Sequence, residues 1–297
     1  MSTPAQFITK AAHIAGISLL LILLANHIAI ERNIGTMERA CARLDGKVLV
    51  CGDSHMQKGV QESGNVVNIS ESAESYWLTY LKLSAITEYG AHPDWILLGI
   101  GHHNLAPYYD EYIDGPLAAA SLWDDAHFLS YSYFMLAARH PGTLTAKGFI
   151  KEVRFNVATA LWPDQGGVIL GGYSNEYTPA HSDTRATDVR LAQQYSHPGT
   201  SVSNLRWLDS VIALCQRNEI PIVGLSTPTS PYYRQNIPPG VAHSTKTLID
   251  TRRIDAFIDY SDLDLPDSMY LPDGDHLNAR GAQAFSQILW GSSNQYP

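Results

Sequence analysis

The feature that most constrains the fold is a short apolar run ending in a turn: Lys47-Val48-Leu49-Val50-Cys51, then Gly52-Asp53-Ser54-His55. Consecutive apolar residues without polar alternation read as a strand buried on both faces, as in a parallel sheet. A chain that leaves such a strand through Gly-Asp-Ser into a helix lifts the serine hydroxyl to the carboxyl edge of the sheet. Free N–H groups and the positive end of the helix dipole gather there, and open α/β sheets form their ligand crevice at that edge. Ser54 is therefore a candidate nucleophile in need of a base. Asp273-Gly274-Asp275-His276, near the other end of the chain, supplies one.

The rest of the chain alternates in the same manner. Apolar runs predict strands over 66–70, 95–101, 221–225 and 254–260, and helices over about 74–90, 201–218, 240–253 and 277–290. Residues 117–139 and 143–162 read as helices separated by Pro141-Gly142, and 163–200 reads as a long polar loop. Alternating strands and helices predict an α/β fold: a three-layer α/β/α sandwich on a mostly parallel sheet of roughly five strands. A chain of 297 residues accommodates this as one large domain over 33–297, with a helical and loop insertion at about 110–200. The net charge of −9, with no basic stripe, argues against nucleic acid as partner. The 16 tyrosines suit a surface that stacks on polar ligands such as sugars.

A serine hydroxyl attacks an acyl carbon only when a base removes its proton. His276 is the candidate base. Asp273, three residues earlier, can curl back to orient the ring, with Asp275 as second choice. Asp53 is expected to tie down its turn by hydrogen bonds rather than to react. His55, His102, His103 and Tyr108 are candidates for contacting substrate. The three histidines also suggest a metal site, but no carboxylate or cysteine spacing completes one, and neither metal nor cofactor is expected.

Together these motifs resemble the SGNH, or GDSL, hydrolase superfamily of serine esterases and acyl-transfer enzymes, whose four blocks occur here in order. The first is Gly52-Asp53-Ser54. The second, Asn68-Ile69-Ser70-Glu71-Ser72-Ala73, carries alanine where the family has glycine. The third, Gly101-His102-His103-Asn104, is one residue longer than the usual spacing, and the fourth is Asp273 with His276. The resemblance implies a flavodoxin-like sheet and an oxyanion hole made by the N–H groups of Ser54 and Ala73 and the side chain of Asn104. At position 73 the N–H donor survives, but glycine's freedom at positive φ is lost.

Ala11 to Ile30 is an apolar stretch of the length a membrane-spanning helix needs. Residues 1–32 read as an uncleaved signal anchor with the catalytic domain outside the cytoplasm, periplasmic or extracellular; a cleaved signal peptide is the alternative, giving a secreted protein. Cys41, Cys51 and Cys215 make no disulfide framework.

The Gly-Asp-Ser-His turn, the His-Asn third block and the anchor resemble exported SGNH proteins that acylate or deacylate polysaccharides. That resemblance implies a carbohydrate O-acetylesterase or O-acetyltransferase, with a membrane protein delivering acyl groups if transfer is the reaction. The alternatives are a lipase or thioesterase of the same fold, and a catalytically silent glycan-binding or assembly protein.

Overall fold

A computed structural model describes residues 4–115, 170–174, 182–197 and 199–291. Five strands form one sheet: β1 (Val48–Cys51), β2 (Val66–Asn68), β3 (Trp95–Gly99), β4 (Ile222–Ser226) and β5 (Ala256–Asp259). Every pairing is parallel and the spatial order is β2-β1-β3-β4-β5. The order reverses between β1 and β3, which is where a parallel sheet opens its crevice. Val48 pairs with Val66 on one side and Trp95 on the other, so β1 is central and its residues are all buried.

Alternate strand residues feed two separate apolar cores. Leu49, Cys51, Ile96, Leu98 and Ile222 join α3 (Tyr76–Glu88) and α6 (Val202–Arg217) through Trp77, Leu81, Leu208 and Val211. Val48, Val50, Leu97, Val223 and Leu225 join α2 (Ser54–Gly59) and α9 (Ala279–Gly291) through Met56, Phe285 and Leu289. Further helices are α4 (Tyr109–Ile113), α7 (Pro231–Asn236) and α8 (Pro239–Asp250). The expected helices at 117–139 and 143–162 lie outside the described residues. The expected loop at 163–200 is corrected in part, because α5 (Thr184–Gln194) lies within it. Asp183 caps α5 by accepting from Arg185 and Ala186, which explains the start of a helix with little apolar periodicity.

The N-terminal helix α1 runs from Pro4 to Ala42, and Gln6–Ala25 is long and apolar enough to cross a membrane. Among the described residues, none of that stretch is buried. The helix continues past the expected boundary at 32, and Cys41 near its end is fully buried in the core. Cys41, Cys51 and Cys215 are free buried thiols.

The segment after β2 is held by an ion cluster. Lys82, 1% exposed, donates to the Ile69 carbonyl at 3.1 Å and to Glu71 and Glu74 at 2.9 and 2.7 Å. Within this segment Ala73 adopts φ 60°, the left-handed conformation that glycine occupies at no cost. An L-residue there costs roughly 1–2 kcal/mol. Ala73→Gly is therefore expected to stabilise the protein by about 1 kcal/mol, after allowance for the greater entropy of unfolded glycine. Urea unfolding of both proteins in the same mild detergent measures this.

Candidate active site

The site is assembled where β1, β3 and β4 end. Gly52 turns the chain at φ 141°, and a Cβ there would lie 2.8 Å from Met56 Cγ and 3.3 Å from the Gly99 nitrogen, so only glycine fits. Asp53, not Ser54, caps α2, accepting the His55 N–H at 3.0 Å. Ser54 is the first helical residue rather than a cap, and its side chain is free to face the fourth block.

That block is a tight turn centred on one carboxylate. Asp273 Oδ1 accepts the N–H groups of Asp275 and His276, both at 3.1 Å. Its Oδ2 accepts from His276 Nδ1 at 2.7 Å. Gly274 takes φ 65°, and a Cβ there would lie 2.5 Å from Ser230 Oγ. The Gly274 carbonyl accepts from the Ser230 N–H, which docks the turn on the N-cap of α7. His276 Nε2 then lies 2.7 Å from Ser54 Oγ, across 222 residues of sequence. With the Nδ1 proton directed at Asp273, Nε2 accepts from the serine hydroxyl. Burial acts to raise the pKa of Asp273, but the side-chain hydrogen bond, charge and backbone N–H of His276 together hold the carboxyl below its usual range.

Asp53 ties the first block to the third. Its Oδ2 accepts from His103 Nε2 at 2.7 Å, Asn104 Nδ2 at 2.9 Å and the Tyr109 hydroxyl at 2.7 Å. Burial opposes ionisation, yet the His103 charge and hydrogen bond hold Asp53 far below the carboxylate range. One hydrogen of the Asn104 amide is thus committed to the turn, while Asn104 Oδ1 accepts the Gly101 N–H at 2.7 Å. Glu71 N–H donates to the Gly52 carbonyl at 3.1 Å, which sets the second block, with Ala73, beside the same turn.

The candidate substrate contacts fall in different places. His55 and His103 are 6% and 4% exposed, and their rings stack at 3.8 Å between centroids. Both belong to the buried network, and with His102 and Asn104 they also line a narrow cavity. His102 lines a cavity of about 480 Å³ with Ser226, Arg234 and Asp259. Tyr108 lines another of about 520 Å³ with Glu111, Tyr112, Arg190, Gln193 and His197. Ser54 lines neither cavity. The atoms that a cation would use come together at His55, Asp275 and His276, all within 4.8 Å, rather than at His55, His102 and His103. The His276 nitrogens there are hydrogen-bonded to Ser54 and Asp273, while His55 Nε2 and Asp275 Oδ1 approach each other at 3.1 Å.

Sequence reasoning missed four partners. Tyr109 holds Asp53, Thr227 lies 3.2 Å from His55 Nδ1, and Arg190 and Gln194 hold Asp275 at 2.8 and 2.7 Å. Asp275 does not face the His276 ring nitrogens; it faces His55 at 3.1 Å. Comparison with models of known protein families and with curated protein sequences finds no match.

Burial drives the pKa of His55 from 6.5 down to about 4, against the pull of Asp275. The unfolded chain therefore binds the extra proton between those values, and stability falls as pH drops through that window. The loss reaches about 3 kcal/mol and is absent above the unfolded value. His55→Gln, which does not titrate, is expected to remove this part of the pH dependence, read as the change in urea midpoint between pH 7 and pH 4.5.

Proposed function

We propose that the protein is a serine-dependent acyl-ester hydrolase or acyltransferase with the three-layer sandwich of the SGNH superfamily. The carrying observation is the continuous chain from Ser54 Oγ to His276 Nε2 and from His276 Nδ1 to Asp273 Oδ2, each step 2.7 Å. That is the arrangement by which a hydroxyl, a base and an orienting carboxylate act together.

In this reading Ser54 Oγ attacks the acyl carbon as its proton passes to His276 Nε2. Asp273 keeps the ring in the right tautomer and stabilises the imidazolium. The tetrahedral oxyanion is held by the N–H groups of Ser54 and Ala73 and the uncommitted hydrogen of the Asn104 amide. Each such donor is worth on the order of 10²–10³ in rate. Collapse transfers the proton from Nε2 to the leaving alkoxide and leaves the acyl group on Ser54. Water completes hydrolysis, and a sugar hydroxyl completes transfer, by the same steps in reverse.

The substrate we favour is an O-acetylated envelope or secreted polysaccharide. The cavity beside Tyr108 supports a polar substrate: its wall is Tyr, Glu, Arg, Gln, Ser and His, with Pro107 the only aliphatic residue among those described. A long acyl chain finds no apolar groove there, which disfavours the lipase or thioesterase reading. The exposed apolar stretch of α1 supports an anchor that holds the domain at a membrane. The strained alanine at position 73 is the observation that favours a silent glycan-binding relative.

Turnover of p-nitrophenyl acetate separates the two. Ser54→Ala and His276→Ala are each expected to lower it by at least ~10³-fold, and Asp273→Asn by roughly 10²–10⁴-fold. Equal rates in wild type and Ser54→Ala contradict the catalytic reading.

A further inference from the structure

The proposed triad does not use the carboxylate of Asp275, yet this residue is wholly buried and next to His276 in the chain. Asp275 Oδ2 is anchored by Arg190 Nε and Gln194 Nε2 from α5. Asp275 Oδ1 lies 3.1 Å from His55 Nε2, off the line of a good hydrogen bond, and neither atom has another partner among the described residues. The opposite nitrogen of His55 meets the Thr227 hydroxyl at 3.2 Å. The His55 ring is stacked on His103 at 3.8 Å and tilted against His276 at 4.6 Å. The nucleophile's helix and the base's turn thus meet a second time, through a histidine and a carboxylate that touch no reacting atom.

We propose that His55 and Asp275 form a positioning couple that holds the His276 ring against Ser54 and favours its imidazolium, with Arg190 and Gln194 as the outer anchor. The proposal rests on the triad reading given above. Its physical content has two parts. The His55 ring, fixed on its far side by His103, closes the space into which the His276 ring would swing. Burial keeps His55 uncharged above about pH 4, so no like charge opposes protonation of His276 while Ser54 attacks. Asp275, held ionised against its burial by His55 and Arg190, adds a negative field at the same ring. A misplacement of the base by about an ångström costs on the order of 10²-fold in rate, so a modest gain in order is worth selecting.

The groups facing His276 fix the sign of the test. They are Ser54 and His55 from α2, Asp273 and Asp275 from its own turn, His103 with Asp53 behind His55, and Arg190 from α5. Replacing Asp275 with asparagine removes a negative charge and leaves Arg190 less compensated. Both changes disfavour the imidazolium, so the His276 midpoint moves to lower pH.

The experiment titrates His276 by ¹H–¹⁵N NMR of histidine-labelled full-length protein in detergent micelles, and measures kcat and KM on p-nitrophenyl acetate. Asp275→Asn is expected to lower the His276 midpoint by about one unit and kcat by roughly 10–100-fold, with KM little changed. His55→Ala is expected to lower kcat similarly, and His55→Gln, which can still donate to Asp275, to recover part of the loss. If Asp275→Asn fails to fold, Arg190→Gln, at the half-buried end of the network, replaces it; with that positive charge gone the His276 midpoint is expected to move by a smaller amount in the opposite direction, to higher pH. An unmoved midpoint in folded variants overturns the proposal, whether kcat falls or not, because a fall alone assigns the couple to packing. The titration needs no turnover: a wild type that hydrolyses nothing defeats the triad reading, while the midpoint still decides the coupling.

Discussion

A carboxylate shut away from water must find its hydrogen bonds in the protein, and Asp53 finds four. It is 2% exposed and accepts from the His55 backbone, His103, Asn104 and Tyr109. An unpaired charge at that depth would cost several kcal/mol or more. The donors therefore cannot leave without unfolding the turn, and they come from the ends of β1 and β3 and from α4. The position of Ser54, the residue after Asp53, follows from that bookkeeping. The crevice at the strand-order reversal is set by sheet topology, but the direction of the serine hydroxyl within it is set by this one buried carboxylate.

The same logic repeats across the site. Three imidazoles, His276, His55 and His103, lie in a row, and each faces its own aspartate: Asp273, Asp275 and Asp53. Only the outermost, His276, reaches the serine. All three are buried, and burial holds His55 neutral. A row of histidines free to protonate would repel one another and leave the base unusable. Pairing each with a carboxylate, and keeping the middle one neutral by burial, limits that repulsion.

The sequence made the skeleton of this arrangement readable because its signals are local. Apolar runs marked all five strands, and the Gly-Asp-Ser and Asp–x–x–His blocks singled out Ser54 at the end of β1 and Asp273 with His276 ahead of the last helix. Asp53 read correctly as a residue that ties its turn. The helix α5 did not show, since its buried positions are Thr187, Leu191 and Gln194, and two polar residues out of three give no apolar stripe. The couple of His55 and Asp275 did not show either. Adjacent positions in a motif suggest redundancy, and only the fold reveals that Asp275 pairs with a ring 220 residues earlier in the chain. Tyr109 did not show as a site residue, because nothing in a sequence records which hydroxyl meets a buried carboxylate.

The central claim is that His276, oriented by Asp273, activates Ser54. Its most direct test is covalent: react the full-length protein with a fluorophosphonate and locate the adduct by peptide mass spectrometry. The account predicts one phosphonyl group per chain, on Ser54, formed in the wild type and lost in His276→Ala. A wild type that takes up no label, or takes it elsewhere than Ser54, would contradict it.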